Sequence, residues 1–137
     1  MSDPYEVAYL VDRFMRRIAA GLHNKALEID SDRVGPVGGM ILLTLSEIQP
    51  AAIHRLVDQM GRDKSQMTRA IKSLERKGMI KRQSCPEDGR VNLLRLSNKG
   101  QDFVLQIKAI LSSVIDGILE PIPERERDGL IDVLRRI

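Results

Sequence analysis

The chain has 137 residues, enough for one hydrophobic core, and its 42% hydrophobic and 30% charged residues exclude an intrinsically disordered protein. No apolar run approaches the roughly 20 residues that span a bilayer. The start, Met1-Ser2-Asp3-Pro4-Tyr5-Glu6, has neither the basic nor the apolar region of a secretory leader, and the one cysteine, Cys85, forms no intrachain disulfide. The expected compartment is therefore the cytoplasm. The net charge of +3 hides a segregation: residues 51–100 hold 12 Lys+Arg against 5 Asp+Glu, whereas 1–50 and 101–137 each hold 5 against 7. A basic centre between acidic ends is the footprint of a nucleic-acid partner. A merely solvated basic face is the alternative.

In chain order, Val7, Leu10, Val11, Phe14, Ile18 and Leu22 recur at three- and four-residue steps and predict a helix from Tyr5 to about Ile29. Such a helix has more apolar surface than a small module can cover. Asp30-Ser31-Asp32 and Gly35-Pro36 punctuate the chain, and Val37–Leu45 reads as a short helix with an irregular start at Gly38-Gly39. Pro50 is expected in the first turn of a helix through Met60, which Gly61 closes in the left-handed conformation. Asp63, with Gln66 three residues on, matches a capping box and opens a helix that Gly78 ends. Two short helices about three residues apart form a helix-turn-helix.

Beyond Gly78 the period becomes alternating. Ile80–Gln83 and Val91–Leu96 read as strands, joined by the turn-rich Pro86-Glu87-Asp88-Gly89-Arg90, and together they predict a hairpin, or wing. Ser97 caps a further long helix with an apolar stripe of Phe103, Ile107, Ile110, Leu111, Val114 and Ile118. After Glu120-Pro121-Ile122-Pro123, a last helix carries Leu130, Ile131, Leu134 and Ile137. The expected class is mainly α (α+β), a winged helix-turn-helix with long N- and C-terminal helices.

On the helix from Asp63, Met67, Ala70, Ile71 and Leu74 share one face, and Ser65, Arg69, Lys72 and Arg76 share the opposite one. The second face is a stripe of donors of a size that the DNA major groove admits. Arg69 suits a bidentate contact to guanine, whereas Ser65, Gln66 and Thr68, near the helix start, reach base edges or phosphates. Lys72 and Arg76 suit phosphate. Arg90 at the wing tip suits the minor groove, with Asp88 orienting it or pairing with another basic residue.

Four segments in order are Asp63-Lys64-Ser65-Gln66-Met67-Thr68-Arg69, Leu74-Glu75-Arg76-Lys77-Gly78-Met79-Ile80, Pro86-Glu87-Asp88-Gly89-Arg90 and Leu96-Ser97-Asn98-Lys99-Gly100. In them the run from Leu56 to Gly100 resembles the MarR (multiple antibiotic resistance regulator) family. The resemblance implies a single domain over 1–137, with dimerisation helices in 1–34 and 98–137 and the winged module in 35–97. It implies a homodimer, with Val7, Leu10, Phe14, Ile107, Leu111, Val114, Leu130 and Leu134 in the interface. It also implies a transcription regulator, usually a repressor, that reads a pseudo-palindromic operator in double-stranded DNA. Many such proteins respond to a small phenolic effector held between the dimer helices and the winged module. Gly38-Gly39 departs from the bulkier residues usual there and predicts a reshaped or absent pocket.

Cys85 lies at the wing edge, where Arg82 and Arg90 are placed to lower its pKa, so a redox-responsive regulator is one alternative. A winged-helix module that binds an acidic protein is another. His23 and His54 are the only histidines and do not make up a ligand set, so no metal is expected. No nucleophile–base order, carboxylate pair or phosphate loop suggests an enzyme, and no organic cofactor is expected.

Overall fold

The computed structural model describes residues 1–137 as six helices and one hairpin. The helices are α1 (Pro4–Ile29), α2 (Gly35–Ile48), α3 (Ile53–Met60), α4 (Lys64–Arg76), α5 (Asn98–Ile118) and α6 (Glu124–Arg135), with strands β1 (Ile80–Ser84) and β2 (Asn92–Leu96) between α4 and α5. The chain packs as two compact units. One is Leu27–Lys108, and the other combines Met1–Ala26 with Ala109–Ile137. The winged unit is thus wider than 35–97: it takes in the last turn of α1 and the first half of α5.

The core of the winged unit draws on every element that the apolar pattern marked. Ile41, Leu42 and Leu45 of α2, Leu56 of α3, Met67, Ile71 and Leu74 of α4 and Leu94 of β2 are all buried. Each such side chain contributes about 1.5–3 kcal/mol by leaving water. The strands pair antiparallel with Ile80 opposite Leu96 and Arg82 opposite Leu94. Ile80, Leu94 and Leu96 face the core, and Lys81 and Arg95 face outward.

Two expectations about α2 and α3 change. Gly38 and Gly39 lie inside a regular helix that starts at Gly35, not at an irregular start. The space that a Gly38 side chain would occupy is taken: its Cβ would stand 2.7 Å from Val34 Cγ1 and 3.4 Å from Leu74 Cδ2. The glycine therefore serves close packing of α2 against α4. Asp30 caps this helix from outside, its carboxylate accepting from the N–H groups of Val34 (2.7 Å) and Gly35 (3.0 Å).

Pro50 does not sit in the first turn of α3, because Ala51 is held extended. Ala51 exchanges backbone hydrogen bonds with Leu94 (3.1 and 2.7 Å), extending the hairpin by a short bridge. The helix therefore waits until Ile53, with Ala52 as its N-cap. Gly61 does close α3 at φ 62°, its N–H donating to the Val57 carbonyl.

The junction of α4, wing and α5 is made by a few backbone groups. Gly78, at φ 77°, ends the α4 segment, and the Met79 N–H returns to the Leu74 carbonyl at 2.9 Å. The Met79 carbonyl accepts from Ser97 N–H at 3.0 Å, while the Ser97 hydroxyl donates to the Gly78 carbonyl and accepts from Gly100 N–H at 3.0 Å. Gly100 lies so close to this peptide that a Cβ on it would meet the Met79 oxygen at 2.2 Å. That accounts for the spacing of Ser97 and Gly100: one caps α5 and the other lets α5 touch the turn.

In the terminal unit, α1 and α6 bury no residue completely. Val114 of α5 is buried against Gly21 of α1, and Lys25 donates to the Ser113 hydroxyl at 3.2 Å. Arg127 of α6 folds back onto the end of α5, donating to the Leu119 and Ile122 carbonyls at 2.6 and 3.1 Å. A cation on a helix C-terminus is favourable, so this arginine staples the α5–α6 turn. No helix is long and apolar enough to cross a membrane.

The contact at Gly100 yields a stability prediction. Gly100→Ala forces a methyl against a backbone oxygen that cannot rotate away, and denaturant unfolding should show a loss of about 3 kcal/mol or more. Gly89, with nothing within 4 Å of its Cβ position, is the control: Gly89→Ala should change stability by less than about 0.5 kcal/mol. Equal effects at the two sites would contradict the packing described.

Candidate nucleic-acid interface

The site is built on α4. Asp63 caps it, accepting from the Gln66 N–H at 3.0 Å, and this fixes the first turn, where Ser65 and Gln66 are exposed. Met67, Ile71 and Leu74 anchor the opposite face in the core, with Ala70 half-buried. Ser65, Arg69, Lys72 and Arg76 all stand on the exposed side as expected. The chain's six ion pairs use none of Arg69, Lys72 or Arg76. Their charge is thus not consumed within the fold.

Thr68 is placed differently from its neighbours. It is half-buried, and its hydroxyl donates to the Lys64 carbonyl at 2.8 Å, so its proton is engaged by its own helix. Arg90 sits at the wing tip with a side chain 91% exposed, held by Asp88. Arg90 Nε donates to Asp88 Oδ1 at 3.1 Å, and the Arg90 backbone N–H donates to the same oxygen at 3.1 Å. Of the two roles considered for Asp88, orienting Arg90 is the one the geometry displays. These bonds to the Arg90 side chain and backbone hold the Asp88 carboxyl below the usual carboxylate range.

Several contacts that hold the site together were absent from the sequence reading. Arg82 of β1 grips Glu75 of α4 with two hydrogen bonds, Nε to Oε2 at 2.8 Å and Nη2 to Oε1 at 2.9 Å. The hydrogen bonding and charge of Glu75 raise the Arg82 pKa further, against a smaller opposing effect of burial. Glu75 stands on the border between the buried and exposed faces of α4, where a helical wheel shows it as the one acid of that helix; that was the available signal. Lys77 donates to the Arg33 carbonyl at 2.7 Å, and Lys99 to the Lys77 carbonyl at 3.0 Å. Gln49 accepts from Leu96 N–H at 2.9 Å.

These pairings bear on Cys85, which is half-buried and free. The two arginines expected to act on its thiol are each engaged by a carboxylate, Arg82 by Glu75 and Arg90 by Asp88. Of the residues assigned to an interface, Val7, Leu10, Leu130 and Leu134 are exposed and Phe14 and Leu111 half-buried. Val114 is buried within its own chain, and Ile107 packs on the winged core. A shallow cleft of about 390 Å³ between α1 and α5 of the terminal unit is lined by Arg17, Ala20, Gly21, Lys25 and Ser113, among others.

Residues 38–91, from the middle of α2 into the wing, match the MarR family. Over that span the winged module is similar in sequence to MarR-family proteins. The uncharacterized HTH-type transcriptional regulator YdgJ of Bacillus subtilis (strain 168) is 37% identical over 75 residues. That match takes in 55% of this chain and 46% of the relative, so the chain matches about half of the relative's length. Likeness of fold extends further than the sequence match. A probable transcriptional regulator from Pseudomonas aeruginosa superposes with a TM-score of 0.71 at 23% identity, over 95% of both chains. The transcriptional repressor CouR, bound to a 23-mer DNA duplex, superposes at 0.73 with 22% identity over 93% of this chain and 88% of its own.

The Asp88–Arg90 pair predicts a pH dependence. A carboxyl whose pKa is lowered by folding contributes order above its unfolded pKa and loses it as pH falls through the folded value. In an NMR titration, the Asp88 carboxyl should titrate at lower pH than in an unfolded peptide of the same sequence. Titration at or above the peptide value would mean that the pair does not hold in solution.

Proposed function

We propose that this chain is a sequence-specific DNA-binding transcription regulator that works in the cytoplasm as a homodimer and represses by occupying its operator. The observation that carries the reading is the row Ser65, Arg69, Lys72 and Arg76 on α4, exposed on a helix whose other face is locked in the core. Arginine and lysine left without carboxylate partners are the groups that release counterions when they meet phosphate. Arg69, the first cation of that row, suits a base edge, and Arg90 offers a second contact from a separate element.

The homodimer is supported by the surface of the terminal helices. Val7 is 55% exposed, Leu10 46%, Leu130 40% and Leu134 54%, together with Val11, Met15 and Ile131 nearby. Two helices without one fully buried residue do not stabilise themselves as amphipathic helices in water, and a second copy covers such faces at least cost in charge. CouR, which was solved bound to a DNA duplex, has a similar fold, and this supports duplex DNA as the partner of this chain.

A small effector of phenolic type is part of the proposal. The shallow α1–α5 cleft combines apolar walls with the cations of Arg17 and Lys25, the chemistry that takes a phenolate or an aromatic carboxylate.

Mobility shift with palindromic duplexes selected from genomic fragments tests the reading. Affinity should fall steeply as salt rises, and Arg69→Ala should cost about 1–3 kcal/mol and relax base preference at one position per half-site. Arg90→Ala should weaken binding as well. If both variants bind like the unmutated protein, or an acidic protein competes fully for the same face, the DNA reading is wrong.

A further inference from the structure

Resting on that reading, we infer that the Glu75–Arg82 pair is a positioning device that sets the angle between the DNA-facing helix α4 and the wing, so that Arg69 and Arg90 reach adjacent grooves together.

The geometry is specific. Both side chains keep part of their surface in water, 25% and 32% exposed, and the guanidinium meets the carboxylate with two parallel bonds of 2.8 and 2.9 Å. Fork-to-fork pairing of this kind fixes orientation as well as distance. An ion pair with this much access to water adds little to folding stability, so stability alone does not account for it. Glu75 takes two of the five N–H donors of Arg82, and the pair is electrically neutral, so its charge adds little to the attraction of α4 for phosphate.

Its place in the fold gives it leverage. The base of the hairpin is pinned on its far side by Ala51–Leu94 and at its foot by Met79–Ser97. Neither of these bonds reaches α4 on the side from which the wing projects. Arg82 lies opposite the buried Leu94, on the inward face of β1, and bridges that gap directly to α4. From Arg82 the strand runs on past Ser84 to the loop that carries Arg90, so about 10 Å of chain acts as an arm. A tilt of about 10° at Arg82 shifts the tip by about 2 Å, which exceeds the tolerance of a built recognition site. The opposite ends of α4 and the wing are held by other contacts, namely the Asp63 cap and the Asp88–Arg90 bonds. Glu75–Arg82 couples the two.

The test compares the full chain with Glu75→Gln, Arg82→Gln and the exchanged double variant Glu75→Arg/Arg82→Glu. Binding is followed by fluorescence anisotropy against a duplex selected from a random pool by the unmutated protein, and against a scrambled duplex of equal length, over a salt series. Circular dichroism melting reports folding. Each single variant should melt within a few degrees of the parent, lose about tenfold of its preference for the selected duplex, and show a salt slope reduced by about one, as Arg90 disengages. The exchanged variant should recover most of the preference. Single variants that keep the parental preference and slope would overturn the inference, as would an exchanged variant no better than either single. A single variant that unfolds would make the pair structural and overturn it equally. If the unmutated chain shows no salt-dependent binding to any duplex, the DNA reading itself fails, and this arm is measured first.

Discussion

The peptide at Met79 is the point at which the winged unit is joined. Its N–H closes the turn that ends the α4 segment by returning to Leu74, and its carbonyl receives Ser97 and lies against Gly100. Three elements therefore meet on one backbone unit: the helix α4, the start of the wing and the start of α5. No side chain is tolerated at Gly100 because the oxygen there cannot yield. The direction of β1 away from α4 follows from this junction, and so does the entry of α5. The core of Leu45, Leu56, Met67, Ile71, Leu74 and Leu94 then supplies the cohesion that keeps the junction closed.

From this frame the chemistry of the exposed side follows with few further assumptions. A helix anchored along one face must present the other, and here that other face carries three cations that the fold leaves unpaired. The carboxylates nearby are employed elsewhere: Asp63 on a helix cap, Glu75 on Arg82 and Asp88 on Arg90. These three acidic residues each fix a position, and none of them pairs with Arg69, Lys72 or Arg76. The same division of labour is visible at the terminal unit, where Arg127 closes a helix end and leaves the apolar residues of α1 and α6 as the open surface.

Much of this was legible in the sequence. Period-3.6 spacing placed α1, α4, α5 and α6, and the change to alternation after Gly78 placed the hairpin, because those patterns are set by local burial. Asp63, Gly61 and Ser97 were legible because caps act within a few residues. What was not legible depends on residues distant in the chain. Ala51 is extended because of Leu94, and nothing within the run from Pro50 to Met60 discloses that. Gly38-Gly39 reads as a weak helix start, yet its reason is the packing of Val34 and Leu74. Lys77 and Arg33 are 44 positions apart, and their bond has no sequence signature. Thr68 and Arg69 are neighbours with matching polarity, and only the structure separates the hydroxyl engaged by its own helix from the free guanidinium.

The central claim is that two copies of this chain place two α4 helices and two wings on one face of duplex DNA. Hydroxyl-radical footprinting of a bound genomic fragment tests it most directly. The account predicts two protected half-sites of equal extent, related by a two-fold axis and about one helical turn apart, with flanking minor-groove protection from the wings. A single unsymmetrical footprint, or protection that spreads evenly without half-sites, would contradict it.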